Sequence, residues 1–371
     1  MIKICAIHFT QNTKYMGFSN YRKESSERSD SLNWAKQSLI DNTAFCFDSI
    51  EGCNQNASNV VTHLIERARV DYNNTTTESD DVVLQNIIKL EGSDTLLRKI
   101  NFAATFGLNL SYTLYCDEHS TVWLYDISSI SSCRFVQAFN TYADFSKWIS
   151  TIKGWASSKA YREISDLPYF DKELRRAGTA WPTNIDCFIS DNCNNPIAIL
   201  EFQNAKDTSV ATHCNNDYFL CKLSGQNQWG YTIYYDDIRR WMSQEILRVQ
   251  SNLRLFVITW SQNENDFILK EIEIITFPNL PYAQNWPLTN QYKAALHKFA
   301  NAKKLVNAVE IANKYSTFNL KYQGAAMQSI INNPPLNTKN KTFPLIYYSY
   351  KQLIQGKREE LPNLFKSLIG V

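Results

Sequence analysis

Cysteine pairs, metal-ligand spacings and nucleotide-binding loops are missing from this chain. None of the nine cysteines stands in a Cys-x-x-Cys pair or at a Cys/His zinc spacing, so they read as small buried hydrophobes or free thiols. No P-loop, no Gly-x-Gly-x-x-Gly and no Ser/His/Asp arrangement is present, which removes phosphate-cradling loops and acyl-transfer triads from the candidate chemistries. No apolar run is long enough to span a bilayer. The opening stretch MIKICAIHFTQNTKYMG lacks the apolar core of a signal peptide. A reducing cytoplasm is the expected compartment, where sequons such as Asn73-Asn74-Thr75 carry no meaning. A strong net charge is missing too: 38 Lys and Arg against 36 Asp and Glu leave +2, so overall charge names no partner.

What is present is length, aromatics and an uneven spread of charge. A chain of 371 residues, 44% apolar, can bury a sizeable core and suggests two or three domains. Its 20 Tyr, 20 Phe and 9 Trp suit a packed core or base stacking, and composition leaves both open. Residues 281–371 hold twelve Lys and Arg against three Asp and Glu, so the rest of the chain is net acidic. An acidic body with a basic C-terminal portion is the pattern of a phosphate-backbone binder, set against the plainer reading of a solvated lysine-rich surface.

The most informative stretch is 181–205, WPTNIDCFISDNCNNPIAILEFQNA. It reads as two short strands joined by a polar turn around 192–196. Alternation puts Glu201 and Gln203 on one face and Leu200 and Phe202 on the other. Pairing around that turn brings Asp186 beside Glu201. Two carboxylates and an amide then converge, an oxygen-rich set that suits a hard cation such as Mg2+. The backbone carbonyl of Phe202 is a further candidate ligand. Both carboxylates are expected at the mouth of a site rather than in the core.

An aspartate, a hairpin and then Glu-x-Lys is the signature of the PD-(D/E)XK nuclease superfamily, which includes many restriction endonucleases. This chain resembles it through Pro182 and Asp186 for the first half of the motif and Glu201-Phe202-Gln203 for the second. Three residues separate Pro182 from Asp186, where the short form has the pair adjacent, and Gln203 stands where lysine is usual. Some restriction enzymes of the superfamily carry Glu-x-Gln there and remain active. The resemblance covers roughly residues 158–280. It implies an α/β restriction-endonuclease-like core, a mixed β-sheet flanked by helices, with additional N-terminal and C-terminal domains. It also implies a Mg2+-dependent endonuclease acting on double-stranded DNA, most simply a type II restriction endonuclease working as a homodimer on a two-fold symmetric target. An upstream helix often adds a glutamate in this superfamily; Glu163 is the first choice, with Glu173 and Asp166 behind it. The alternatives are a repair or structure-directed nuclease of the same fold, or a non-catalytic DNA-binding protein on a degenerate nuclease fold.

Along the chain, helical spacing is expected over 31–40, 60–70, 81–90, 95–106 and 145–152. A β-hairpin is expected over 108–115 and 121–127, closed by a solvated turn at Asp117-Glu118-His119. Helices at 157–167 and 168–177 follow, the second ended by Gly178. Residues 204–235 read as irregular. A helix over 236–249 has an apolar stripe of Ile238, Trp241, Ile246 and Val249, with Arg239, Arg240 and Arg248 on or near its polar side. Strands are expected over 254–260 and 267–275, and a helix over 291–314. The segments are 1–156, 157–280 (the nuclease core) and 281–371 (basic, for DNA contact). Lys303, Lys304, Arg239 and Arg240 are the candidate DNA contacts. If the basic segment contacts phosphates, duplex binding weakens with salt with a log–log slope of roughly 0.9 per phosphate neutralised. Replacing Lys303 and Lys304 by Ala then makes the slope shallower in a salt titration of binding, whereas an unchanged slope assigns them to solvated surface.

Overall fold

The computed structural model describes residues 17–24, 29–39, 44–56, 58, 60–73, 78–154, 156, 167–206, 209–215, 222–226, 232–235, 238–276 and 347–370. Its centre is one mixed sheet of eleven strands. In chain order the strands are β1 (Gly17–Arg22), β2 (Phe45–Gln55), β3 (Val61–Asn73), β4 (Leu110–Cys116), β5 (Thr121–Ser129), β6 (Ser132–Phe139), β7 (Thr183–Asp191), β8 (Pro196–Asn204), β11 (Arg254–Trp260), β12 (Asp266–Thr276) and β13 (Tyr347–Lys357). A separate two-stranded ribbon is β9 (Lys222–Gln226) with β10 (Thr232–Tyr235). The helices are α1 (Ser29–Lys36), α2 (Asp80–Glu91), α3 (Ser93–Thr105), α4 (Tyr142–Lys153), α5 (Tyr169–Arg176), α6 (Val210–Asn215), α7 (Ile238–Ser251) and α8 (Leu361–Ile369). The segment expected to be irregular therefore carries α6, β9 and β10, and the helix expected over 291–314 lies outside the described residues.

Across the sheet the order is β13-β12-β11-β8-β7-β2-β3-β4-β5-β6, with β1 also on β3. Reading outward from the central β2–β7 pair, each side repeats the same pairings. On one side β2 is antiparallel to β3, β3 parallel to β4, and β4, β5 and β6 antiparallel in turn. On the other, β7 is antiparallel to β8, β8 parallel to β11, and β11, β12 and β13 antiparallel in turn. Each parallel step is bridged by helices, as a parallel crossover requires: α2 and α3 in one case, α6 and α7 in the other. One sheet thus collects strands from all three segments drawn in sequence.

Both faces are covered. Leu64, Leu110, Phe188, Ile199 and Leu255 pack with Leu84, Ile87, Leu96, Phe102 and Leu247 of α2, α3 and α7. On the opposite face Cys187, Leu200, Phe202, Phe256 and Ile258 pack with Trp34 of α1 and Phe365 of α8. Beyond them Ile65, Tyr115 and Leu124 pack with Phe145 of α4 and Phe170 of α5. The aromatics in these clusters belong to the core: Trp34 stacks on Trp260 with centroids 5.2 Å apart, and Phe365 meets Phe45, Phe47 and Phe256 edge-on. Helix starts follow capping chemistry. Ser79 accepts from the Val82 N–H and Thr141 from the Asp144 N–H. Gly178 follows α5 at φ 74°, the left-handed position a C′ residue needs.

Residues 60–70, expected as helix, form most of β3. Val61, Leu64 and Ala68 do recur at helical spacing, but the strand is buried on both faces, so apolar residues occur on each. The alternation survives in the packing: Leu64, Ala68 and Val70 join one cluster and Ile65 another. Asp117 is not solvated either; it accepts from the Tyr142 hydroxyl at 2.7 Å and faces Arg69 Nε at 3.1 Å.

The interior next to β3 holds charge. Glu66 is fully buried and pairs with Lys23 and with Lys99 at 3.0 Å; Glu91 pairs with the same two lysines, at 2.9 Å for Lys99. The Tyr112 hydroxyl donates to Glu91 at 2.7 Å. Burial pushes the Glu91 carboxyl up, but Lys99, Lys23 and the Tyr112 hydroxyl outweigh it and hold it well below the usual carboxylate range. A depressed folded value means that this stabilisation is complete above the ordinary value of 4.5 and is lost as the pH falls towards the folded value. Glu91→Gln is expected to cost about 3–5 kcal/mol at pH 7, because it leaves buried ammonium charge uncompensated. It should also flatten the loss of stability below pH 4.5. Urea denaturation across pH checks both, and a variant as stable as the parent at pH 7 contradicts them.

Candidate functional site

The β7–β8 hairpin is set by its turn. The Asp191 carboxylate accepts the N–H groups of Cys193 at 2.9 Å and Asn195 at 2.8 Å, and Asn194 takes φ 65°. Asn tolerates that region because its short polar side chain bonds locally. The register that follows pairs Phe188 with Ile199 and Cys187 with Leu200. The next step places Asp186 opposite Glu201, as the spacing in sequence implied.

At that step the backbone ladder ends and side chains take over. The Phe202 N–H donates to Asp186 Oδ2 at 3.3 Å, and Asn184 Nδ2 donates to Oδ1 at 2.6 Å. Leu200 and Phe202 point to the α1 and α8 side, so Glu201 and Gln203 share the other face. The parallel neighbour β11 sets Val257 beside Glu201 and Thr259 beside Gln203. The buried Thr259 hydroxyl lies 3.5 Å from Gln203 Oε1, and Gln203 itself is half-buried.

Glu201 is not at a mouth. Only 1% of it is exposed, and Gln244 of α7 donates to its Oε2 at 2.8 Å. A buried carboxylate needs donors of this kind, because its desolvation is otherwise uncompensated. α7 is held over the hairpin by polar contacts. Thr183 Oγ1 meets Ser243 Oγ at 2.9 Å, Gln55 Nε2 donates to the Ser243 carbonyl at 3.3 Å, and Gln250 bonds the Val61 N–H at 2.8 Å. The inward face of α7 is therefore Ser243, Gln244 and Leu247, whereas Val249, assigned to the apolar stripe, is 64% exposed. Hydrophobic periodicity could not find Gln244, because that face serves the polar groups at the end of the hairpin.

Among the other expected site residues, Glu163, Asp166, Lys303 and Lys304 lie outside the described residues. Arg239 and Arg240 fall in the first turn of α7, with side chains outside the description. Glu173 pairs with Arg176 on α5, which packs against the face opposite α7. Cys187, next to Asp186, is buried, and burial pushes its thiol well up, with Asp48 adding to the rise. It is thus no thiolate nucleophile.

Among the described residues no three His, Cys, Asp or Glu side chains form a metal-holding group. Asp186, Glu201 and the Phe202 carbonyl offer oxygen donors only, and this fits Mg2+ or Mn2+ rather than a soft metal. Asn184 and Gln244 fix the direction of the two carboxylates, as second-layer groups around metal ligands do. No helix among the described residues is long and apolar enough to cross a membrane. Comparison with family models, curated proteins and solved structures finds no match for this chain. Gln244→Leu is expected to cost about 1–3 kcal/mol, the penalty for a buried acceptor losing its donor. Glu201→Leu should remove most of that cost when combined with it. Additive effects in a double-mutant cycle read by urea denaturation would contradict the pairing.

Proposed function

We propose that this chain is a Mg2+-dependent DNA endonuclease of the PD-(D/E)XK type, most simply a type II restriction endonuclease acting on a specific double-stranded sequence. The observation that carries the reading is the meeting of Asp186 and Glu201 at the open end of the β7–β8 hairpin, with Gln203 two residues on and facing the same way. Topology adds support. The superfamily core runs helix, three strands, helix and strand, the motif hairpin being the second and third of the strands. Here β2 lies antiparallel to β7, and α7 leads to β11, parallel to β8. The first strand of that core would be β2, far upstream of the hairpin.

Mg2+, when bound, supplies Lewis acidity and lowers the pKa of its water. Asp186, Glu201 and the Phe202 carbonyl would hold it. Asn184 and Gln244 keep the two carboxylates aimed. Gln203 carries no charge, so it contributes positioning. Thr259 ties down its carbonyl end, and its NH2 end donates to a phosphate oxygen or orients the attacking water. Lys303, Lys304, Arg239 and Arg240 supply backbone contacts in this reading, and a homodimer matches two sites to the two strands.

The burial of Glu201 favours one second reading, a DNA-binding protein on the same fold without catalysis. Incubating plasmid DNA with the full chain and Mg2+ or Mn2+ separates the two. The nuclease reading predicts metal-dependent cleavage, with discrete bands for a sequence-specific enzyme. Asp186→Asn and Glu201→Gln are expected to lower the rate by ~10³-fold or more, about 4 kcal/mol of barrier. Gln203→Ala is expected to slow single-turnover cleavage ~10–100-fold while leaving metal affinity nearly unchanged. Near parental cutting by Asp186→Asn sinks the assignment, and binding of duplex with no cutting in either metal selects the second reading.

A further inference from the structure

The repeat seen in the strand order extends to the positions of single residues. Where β2 and β7 pair, Ile50 faces Ile185, and an acid follows each of them: Glu51 in one half, Asp186 in the other. The β2–β3 register pairs Gly52 with Ile65, so its next step sets Glu51 opposite Glu66. The β7–β8 register sets Asp186 opposite Glu201 in the same way. Two residues before each glutamate, Leu64 pairs with Leu110 and Ile199 with Leu255 on the parallel neighbour. Lys99 lies eleven residues before Leu110, and Gln244 eleven before Leu255. Each is a helix residue bonded to the glutamate below it, Lys99 Nζ to Glu66 at 3.0 Å and Gln244 Nε2 to Glu201 at 2.8 Å. Both hairpin ladders also end in a backbone N–H given to a carboxylate across the pair, though in opposite senses: from the first strand in one half, Glu51 N–H to Glu66 at 3.1 Å, and from the second strand in the other, Phe202 N–H to Asp186 at 3.3 Å.

The two positions differ in charge. In the first half two ammonium groups, Lys99 and Lys23, bridge Glu66 and Glu91, while Glu51 faces Arg67 Nε at 3.4 Å. Burial works against both ammonium groups, but Glu66 and Glu91 outweigh it and hold them above their ordinary values. They are cations at any working pH. They occupy the oxygen atoms a divalent ion would need and repel one that approaches. At the matching helix position of the second half stands a neutral glutamine.

We infer that the chain is an internal two-fold repeat of one acid-bearing unit, in which lysines fill the first copy of the cation site and only the second copy takes a divalent ion. One chain then carries one such site, and cutting both strands of a duplex takes two chains. This rests on the nuclease reading for the identity of the second site.

Titration of the full chain with Mn2+, followed by the electron paramagnetic resonance of free ion, counts the sites without any cleavage. The expected result is one Mn2+ per chain, with affinity falling at least tenfold in Asp186→Asn and unchanged within twofold in Glu51→Gln, both folded by circular dichroism. Two ions per chain, one of them lost in Glu51→Gln, would overturn the inference and leave the nuclease reading standing. A single ion lost in Glu51→Gln but kept in Asp186→Asn overturns both. No bound ion overturns the nuclease reading at Asp186 and the inference with it.

Discussion

The antiparallel pairing of β2 with β7 is the contact from which the rest of the sheet extends. It joins residues 45–55 to 183–191 at the centre of eleven strands. It also buries both strands between helices, so any charge on their hairpin partners must be answered from the helices above. Glu66 and Glu201 are both essentially inaccessible, and each receives a donor from the helix that crosses to the next strand. An unanswered buried carboxylate would cost several kcal/mol, so the helix residue and the acid constrain each other. The path of α7 over the hairpin follows from this requirement at least as much as from Leu247.

Carboxylates gathered at the end of a hairpin need a counterpart, which the cations Lys23 and Lys99 supply to Glu66 in the first half and the neutral Gln244 amide to Glu201 in the second. A sheet that needed only stability would place apolar residues there, as it does at Leu200 and Ile199 one and two steps away. Here Glu201, Gln244 and Thr259 are buried and Asp186 and Gln203 half-buried, in one polar group that spans β7, β8, α7 and β11. Buried polar groups need partners, and the carboxylate oxygens of Asp186 and Glu201 are donors of the type that suits a hard cation. In the proposed nuclease the neutral Gln203 would leave charge neutralisation to the ion and to basic residues outside the sheet.

Much of the fold could be read from the sequence where pattern and punctuation agreed. The 181–205 hairpin, α2, α3, α4, α5, β4, β5, β11 and β12 lie within a few residues of expectation, because turn residues, caps or short apolar runs marked their ends. β2 was hidden by Asp48, Asn54 and Gln55, polar residues that are buried against Arg98, Thr62 and Ser243. β3 was mistaken because a strand covered on both faces loses the clean alternation that identifies one. The juxtaposition of Asp186 and Glu201 is legible through local spacing, whereas the groups bonded to them are not: Gln244 is remote in sequence, and no pattern of apolar residues points to it. The repeat between the halves was invisible for the same reason, since it is carried by pairing and by a few polar positions.

The central claim is that Asp186 and Glu201 form a divalent-cation site, and mapping a bound ion onto the backbone tests it most directly. Fe2+ substituted for Mg2+ reduces added hydrogen peroxide to hydroxide and hydroxyl radical where it is bound, ascorbate returns the resulting Fe3+ to Fe2+, and the radicals cut the nearby chain. The account predicts scission confined to the neighbourhood of 184–187 and 200–203, suppressed by excess Mg2+. Cuts centred on 50–52 and 65–67 instead, or a pattern that Mg2+ does not suppress, would contradict it.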